Sequence, residues 1–186
     1  MNLMNFVRKK YHYGRYKKVK LLINKNKCNL LDIGCGRPCE CMDDGSFLKS
    51  IGCGVGLDLD IKKAPVDFKF IKGNIVNLPF SNKTFDAVTS LEVFEHLDSV
   101  EQVDMAINEI KRVLKKDGIF IMSTPNNSYF WRFVWFFWEK SVGKLWREKH
   151  KMNLNQEQWL STLEKKFKII SMRTHWGVNS IIKMKN

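Results

Sequence analysis

The sequence has no run of apolar residues approaching the roughly 18 to 20 that a membrane-spanning helix needs. Its first residues are basic but lack the apolar core of a secretory signal peptide. The first absence excludes a conventional spanning helix, and the second disfavours export. We therefore expect a cytoplasmic protein, with a peripheral position on the inner face of the membrane left open.

The five cysteines include no paired C-x-x-C motif. Four of them are crowded into one stretch, at Cys35, Cys39, Cys41 and Cys53. Their intervening spacings differ from the paired spacing of zinc ribbons and from the C-x-x-x-C-x-x-C pattern of radical enzymes. We therefore predict no metal site, and we expect structural or free thiols in a reducing compartment.

Acidic residues are absent from residues 1–28, which hold nine lysines or arginines, and the formal net charge of the chain is +13. Apolar residues interleaved with these bases predict an N-terminal basic helical segment over 1–27. Such a surface suits phosphate-rich partners such as RNA, anionic lipid or a phosphorylated metabolite. A length of 186 residues with 44% apolar content predicts a single domain over 1–186.

Two apolar segments that end in acids indicate a βαβ unit. The first is Leu30-Leu31-Asp32-Ile33-Gly34-Cys35-Gly36 and the second is Gly54-Val55-Gly56-Leu57-Asp58. Glycines after a buried strand allow the backbone to approach a ligand closely, and an acid after the second strand can bind ribose hydroxyls. Further strands are predicted near 68–72, 85–90 and 119–123, with an amphipathic helix over 98–115. Two strands joined near Gly177 end the chain.

These segments, together with Gly73-Asn74-Ile75-Val76-Asn77-Leu78-Pro79-Phe80 and Leu91-Glu92-Val93-Phe94-Glu95-His96-Leu97, resemble the class I S-adenosylmethionine-dependent methyltransferases. Within that superfamily the chain looks most like the ubiquinone-biosynthesis O-methyltransferase type. The resemblance implies an α/β Rossmann-like, doubly wound, mostly parallel seven-stranded sheet with an antiparallel C-terminal edge hairpin. It also implies S-adenosyl-L-methionine as the cofactor and a small-molecule or lipid-linked acceptor that is methylated on oxygen.

The resemblance also assigns the cofactor-binding residues, which are Arg15, Asp32, Gly34, Gly36, Asp58, Asn74, Ile75, Leu91 and Glu92. The acid and glycines after the first strand would surround the methionine part, and the acid after the second would take the ribose hydroxyls. The Asn74 side-chain oxygen and the Ile75 N–H would approach adenine. Pro38 departs from the family pattern because a third glycine usually stands there, so the loop is expected to be longer or differently shaped.

Catalysis is harder to assign. His96 and His150 are the candidate bases, since a histidine with a pKa near neutrality can accept the proton of an acceptor hydroxyl. His96 lies at the mouth of the expected acceptor cleft, and His150 lies in an aromatic and basic insertion over 127–154. His175 is a further candidate. The alternative is that the Glu-His pair at 95–96 only orients its loop and caps the following helix.

The insertion contains Tyr129-Phe130-Trp131-Arg132-Phe133-Val134-Trp135-Phe136-Phe137-Trp138, which is apolar almost all round. We expect this segment either to enter an anionic membrane surface or to be buried in the core or a homodimer interface. Two other functions stay open: an RNA methyltransferase, favoured by the charge, and a non-catalytic cofactor-binding regulator. Thr124-Pro125-Asn126-Asn127 lacks the Asn/Asp-Pro-Pro-Tyr/Phe motif that accompanies methylation of base amino groups.

Overall fold

The computed structural model describes residues 3–23, 29–35, 47–60, 68–126 and 156–186. In these residues the strands are β1 Leu30–Ile33, β2 Val55–Asp58, β3 Lys69–Lys72, β4 Phe85–Leu91, β5 Leu114–Pro125, β6 Lys168–His175 and β7 Asn179–Lys185. The helices are α1 Leu3–Leu22, α2 Phe47–Ile51, α3 Val100–Val113 and α4 Gln156–Glu164, with a short 3₁₀ helix at Phe94–His96. The predicted insertion over 127–154, including His150, and the second loop glycine, Gly36, lie outside the described residues.

The strands form one sheet in the order β3-β2-β1-β4-β5-β7-β6. The first five strands in this order pair in parallel, whereas β7 is antiparallel to both β5 and β6. Order and direction confirm the predicted fold class. The sequence runs outward from β1 to β3 and then returns to β4, so the direction of winding reverses between β1 and β4.

Helices cover both faces of the sheet, each over its own apolar cluster. On one face α3 and α4 bury Ile107, Ile110 and Trp159 against Val88 and Phe120 of the central strands. The other face is covered by α1 and α2, with the apolar cluster formed by Val19, Leu22, Ile23, Leu30, Phe47, Leu48, Ala87, Leu91, Ile121 and Ile181. The near-continuous burial of the central strands is what a parallel sheet with helices on both sides requires.

The strand β5 begins earlier than the sequence predicts. The helical pattern was expected to run to residue 115, but α3 ends at Val113 and Leu114 already pairs with Phe85. The register then shifts before Ala87 pairs with Ile119, and Asp117 within this irregularity has φ 62°. Asp117 and Gly118, which fall between the predicted helix over 98–115 and the predicted strand over 119–123, therefore lie in a bulge inside β5 rather than in a connection before it.

The hairpin between β6 and β7 turns at Trp176 and Gly177, as predicted. Both residues have positive φ, 53° and 70° respectively. Two consecutive left-handed residues are typical of the two-residue turns that match strand twist. The turn lies beside the carboxyl end of β5, because the Asn126 N–H donates to the Val178 carbonyl at 3.0 Å.

No helix in the described part of the chain has the length and apolar character to cross a membrane.

Candidate functional site

Side chains of the predicted site gather where the carboxyl ends of β1, β2 and β4 meet. Asp58 ends β2, Leu91 ends β4, and Asp32 is the third residue of the short strand β1. Because the winding reverses between β1 and β4, this edge is the topological switch point at which open α/β sheets bind ligands. The fold thus brings together residues that the sequence connects only through their strand-end positions.

The backbone of Gly34, directly after β1, packs closely against β2 and against the segment that follows β4. It has φ 70°, and its N–H donates to the Leu57 carbonyl at 2.8 Å. A Cβ added there would lie 2.2 Å from Cγ2 of Val93, so only glycine fits both the conformation and the space. The loop after β1 is therefore tied to β2 and pressed against the segment that follows β4.

Asp32 is buried, with 3% of its surface exposed, and accepts a 2.6 Å hydrogen bond from the Thr89 hydroxyl on β4. Burial raises the pKa of Asp32 to about 7, while the Thr89 bond and Arg15 lower it and Asp58 raises it further. The three charged groups therefore share one electrostatic environment. A carboxyl poised near neutrality at a ligand-binding edge is typical of functional sites.

Asp58 is half-buried at the outlet of β2, and its Oδ1 accepts the Asp60 N–H at 3.1 Å. Asp60, the competing ribose acid, is exposed and stands past the end of the strand. The position of Asp58 at the strand end fits the predicted role as acceptor for ribose hydroxyls.

Asn74 and Ile75 form a small turn after β3. The Asn74 side-chain oxygen accepts the Val76 N–H at 3.2 Å, and Asn74 bridges to Asn77. Ile75 is buried, whereas Asn74 is exposed. The amide oxygen has a second lone pair, so it keeps the capacity to accept one further hydrogen bond from a ligand.

Glu92, directly after β4, joins three elements. Its Oε1 accepts hydrogen bonds from the Ser123 hydroxyl of β5 at 2.7 Å and from the Asn179 amide of β7 at 2.6 Å. It also lies 3.2 Å from Nη1 of Arg15 on α1. The φ of Glu92 is 61°, which is uncommon for a non-glycine residue and is held by these contacts.

All three contacts of Glu92 are made by Oε1. Within the described part of the chain this leaves Oε2 for a ligand donor, on a side chain that is 25% exposed. The sequence predicted Glu92 as a cofactor contact but did not predict its bonds to Ser123 and Asn179. A small polar residue near the end of β5 was the available signal for Ser123, and nothing local indicated Asn179.

Arg15 is the predicted cofactor residue on α1 and is 4% exposed. Its guanidinium lies over the rings of Tyr11 and Tyr16, at 5.5 and 5.8 Å from their centroids. Nη2 is 3.2 Å from Nδ1 of His12. Burial is the largest influence and lowers the pKa of Arg15, but Glu92, Tyr11, Tyr16 and Glu95 together outweigh it, so the net shift of the pKa is upward.

The Arg15 Nε is buried without a hydrogen-bond acceptor in the described structure. A buried cation with an unused donor at the ligand edge suits an anionic group, such as the α-carboxylate of an amino acid.

The structure distinguishes His96 from His175 among the candidate bases by their burial and contacts. His96 is half-buried and lies on the 3₁₀ helix Phe94–His96, close in the chain to Glu92, and its role as a base stays a prediction. His150 lies outside the described residues. His175 is buried instead: its Nε2 donates to the Tyr11 carbonyl at 2.9 Å, and burial lowers its pKa. His175 therefore helps to seat α1, and a catalytic role for it receives no support from its position.

The predicted thiols are only partly accounted for. Cys53 is disulfide-bonded, which differs from the thiol that was expected at this position. Cys39 and Cys41 lie outside the described residues. Among the described residues no three His, Cys, Asp or Glu side chains are arranged to hold a metal ion.

Fold and site together define a Rossmann-like protein with an edge suited to an adenosine that carries an amino-acid group. Gly34 allows the tight turn after β1, Asp58 at the end of β2 has the carboxylate that ribose hydroxyls would need, and Arg15 has an unused donor that would suit a carboxylate. The residues present at this edge therefore fit S-adenosylmethionine.

Comparison with known proteins leads to the same class. Residues 31–122 match the family model described as a methyltransferase domain. A putative methyltransferase of Encephalitozoon cuniculi is 34% identical over 94 residues, which cover 48% of this chain and 41% of that protein. A ubiquinone/menaquinone biosynthesis C-methyltransferase of Brucella canis is 38% identical over 69 residues, or 37% of this chain and 24% of that protein.

The fold also matches solved structures along nearly all of its length. The N-methyltransferase NodS of Bradyrhizobium japonicum superposes with a TM-score of 0.69 at 15% identity, covering 95% of this chain and 96% of that one. At this identity the likeness shows the fold alone. The chain spans less than half the length of the curated relatives it matches first.

The chain belongs to the class I S-adenosylmethionine-dependent methyltransferases. Its cofactor is S-adenosylmethionine, and a related structure of NodS holds S-adenosylhomocysteine.

Proposed function

We propose that this chain transfers the methyl group of S-adenosylmethionine to a small-molecule or lipid-linked acceptor, and that the methylated atom is an oxygen. The observation that carries methyl transfer is the convergence of Gly34, Asp58 and Glu92 at the switch point. When bound, S-adenosylmethionine supplies an electrophilic methyl group on a sulfonium. The protein then has mainly to position the acceptor, since alignment alone can account for much of the barrier reduction.

In this proposal the residues at each strand end contact a different part of the cofactor. Asp58 accepts the ribose hydroxyls, while Asn74 and the Ile75 N–H contact adenine. Arg15 binds the carboxylate of the methionine part, and Asp32 favours the neighbouring ammonium. Leu91 and Glu92 border the centre of the cofactor, with Oε2 of Glu92 as the available acceptor.

His96 is the proposed base for an acceptor hydroxyl, because it is half-buried on the 3₁₀ helix that closely follows Glu92 in the chain. Oxygen as the methylated atom rests on the resemblance of the 91–97 segment to O-methyltransferases. A hydrophobic, lipid-linked acceptor is supported by the Brucella relative, which by its name acts in ubiquinone and menaquinone biosynthesis.

Calorimetry with S-adenosylhomocysteine tests the cofactor part of the proposal. We expect one site, weakened by Asp58→Asn and unaffected by Asp60→Asn, because the second acid is exposed past the strand end. Absence of binding by the intact chain would refute the enzyme and regulator functions together.

The acceptor is tested with methyl-labelled cofactor and separate lipid, RNA and small-metabolite extracts. Label is expected in the lipid or metabolite fraction, and in the product it should be present as the methyl group of an ether or an ester. Label confined to RNA would replace the acceptor proposal, and binding without any transfer would favour a regulator. A His96→Gln variant should lose turnover near neutral pH and regain it at high pH, where the acceptor hydroxyl loses its proton without a base.

A further inference from the structure

The helix α1 has one face that is fully explained by packing. Its buried residues lie on a single arc of the helix, at Arg15, Val19, Leu22 and the adjoining Ile23, with half-buried Tyr16 beside them. These side chains meet α2 and the strands beneath. A surface helix with such an inner stripe ordinarily presents polar residues on its opposite side.

The opposite side of α1 does not follow this rule. The residues exposed along it are Phe6, Val7, Lys10, Tyr13, Lys17 and Leu21. At 100° per residue these six fall within about 120° of the helix circumference. Four of the six are apolar or aromatic, with exposed fractions of 47%, 36%, 39% and 69% in chain order. We call these six residues the outward face.

The remaining residues of the outward face are both lysines, and α1 contains no acid. Lys18 and Lys20 flank the face and donate to backbone carbonyls, those of Thr174 and Ser50. Apolar side chains beside lysines, on a helix that has no acid of its own, are the composition of helices that lie in the headgroup region of a membrane. The aliphatic stems of the lysines can pack on the apolar residues while their ammonium groups reach outward.

The orientation of the outward face is fixed by the contacts beneath it. Arg15 pairs with Glu92, and the Tyr11 hydroxyl donates to the Asn179 side chain. His175 packs so closely on α1 that a Cβ at Gly14 would lie 3.0 Å from its ring. The helix is therefore mounted on the ends of β4 and β7, at the ligand edge of the sheet.

Trp176, at the hairpin tip, extends the face toward the site. Its indole is 48% exposed and makes an edge contact with the Tyr11 ring, at 5.6 Å between centroids. The residue has φ 53°, a conformation that costs energy for a bulky side chain. Tryptophan is favoured at membrane interfaces, where its ring is buried and its N–H stays near water.

We propose that the outward face of α1, with Trp176 at its border, docks this protein on an anionic membrane surface. The helix lies in the plane of the interface, with Phe6, Tyr13 and Leu21 entering the boundary between headgroups and acyl chains. Lys10 and Lys17 meet anionic headgroups. The surface extends the proposed function by placing the ligand edge beside the lipid phase, but membrane binding itself does not depend on methyl transfer.

Other partners fit the outward face less well. RNA binding would use the lysines but would leave Phe6 and Leu21 in water, where they gain nothing from contact with phosphates. A second copy of the chain packed on the same face would bring Lys10 and Lys17 against their own copies without an acid on either helix. An anionic bilayer accommodates both the apolar side chains and the charge.

Sedimentation with vesicles tests the proposal on the whole chain, using phosphatidylglycerol with phosphatidylcholine against phosphatidylcholine alone. The intact protein should sediment with the anionic vesicles at low salt and be released by high salt. Lys10→Gln with Lys17→Gln should weaken the partition coefficient about fivefold per lysine. Phe6→Ser with Leu21→Ser should weaken it by about tenfold or more.

Matched controls lie on the other side of the sheet. Val100 and Met105 of α3 are each 50% exposed, so their serine variant removes similar apolar area from a face without clustered lysines. Lys83→Gln with Lys116→Gln removes two exposed charges elsewhere. Both controls should sediment as the intact chain does.

Cofactor binding by calorimetry separates this proposal from the proposed function, since all these variants should still bind S-adenosylhomocysteine. It also reports folding, and the lysine variant decides the result if the apolar variant does not fold. The proposal is overturned if vesicle binding is absent, if it survives both α1 variants, or if the controls reduce it equally. Loss of a dimer, or of RNA binding, in the α1 variants without any effect on vesicles would also overturn it.

Discussion

The buried carboxyl of Asp32 gives the sharpest test of the site, through Asp32→Asn. This substitution keeps the shape of the side chain and an oxygen that can accept the Thr89 hydroxyl, but it removes the titrating group. Asp32 lies at the heart of the ligand edge, so stability and cofactor binding are expected to change in opposite directions. Stability should rise, because the asparagine never has to be ionised in a buried site.

The sign of the pH dependence follows from the direction of the shift. Burial raises the pKa of Asp32 from 3.8 to about 7. Between these values the folded state holds a proton that the unfolded chain has lost, so the free energy of unfolding falls as the pH rises. Below pH 4 Asp32 is protonated in both states, so it does not destabilise the fold. Above pH 7 it is ionised in both states, so the destabilisation no longer changes with pH.

The magnitude follows from a shift of about three pH units at about 1.4 kcal/mol each. Asp32→Asn should therefore raise the free energy of unfolding by up to about 4 kcal/mol at pH 8, and by well under 1 kcal/mol at pH 4. The variant should also bind S-adenosylmethionine more weakly, since it loses the charge that favours the methionine ammonium.

Urea unfolding followed by circular dichroism at half-unit steps from pH 4 to pH 8 measures the difference. Asp60→Asn is the control, because that acid is exposed at the same end of the sheet. A stability gain that does not change with pH, or a loss at pH 8, would show that Asp32 is not held with a raised pKa.

Three further substitutions test the geometry around it. Asp58→Ala should weaken S-adenosylmethionine binding by about 1 to 3 kcal/mol in calorimetry, because the ribose hydroxyls lose a charged acceptor; unchanged affinity would assign the ribose elsewhere. Gly34→Ala should lower the free energy of unfolding by about 1 to 3 kcal/mol, since its Cβ would meet Val93 at positive φ. Arg15→Gln should lower the free energy of unfolding by about 3 kcal/mol, because Glu92 loses the cation it pairs with. The double variant with Glu92→Gln should recover part of that loss. If the effects of the two substitutions simply add, the two residues are not coupled.

Sequence reasoning located the strands well because each carries its own local signal. The apolar run before Gly34 and the acid of Asp58 mark strand ends at the spacing of one βαβ unit, and a parallel sheet then places those ends along one edge. The roles of the cofactor residues came from the resemblance to the methyltransferases, and they stay predictions. The same reasoning predicted the terminal hairpin, whose two strands are joined by a turn at Gly177.

What the sequence could not supply are contacts between elements distant in the chain. Nothing near Glu92 indicates that Ser123 and Asn179 donate to it, or that its φ is positive. The sequence predicts a helix to residue 115 and a strand only from 119, because Leu114 continues the apolar spacing of α3. The pairing of Leu114 with Phe85 on β4 joins residues distant in the chain and leaves no local signal. Tertiary pairing decided both cases.

The helix α1 shows the same limit in another form. Its sequence mixes bases with apolar residues and contains Gly14, which costs about 1 kcal/mol in a helix interior relative to alanine. The structure supplies the reason, since His175 occupies the space that a Cβ would need and donates to the Tyr11 carbonyl. Gly14 thus lowers the helix propensity of α1 but allows the helix to pack closely against the hairpin. The inner face of α1 is therefore taken up by these contacts, and in the described part of the chain Phe6, Tyr13 and Leu21 are left partly exposed on its outer side, where the proposed membrane surface would cover them.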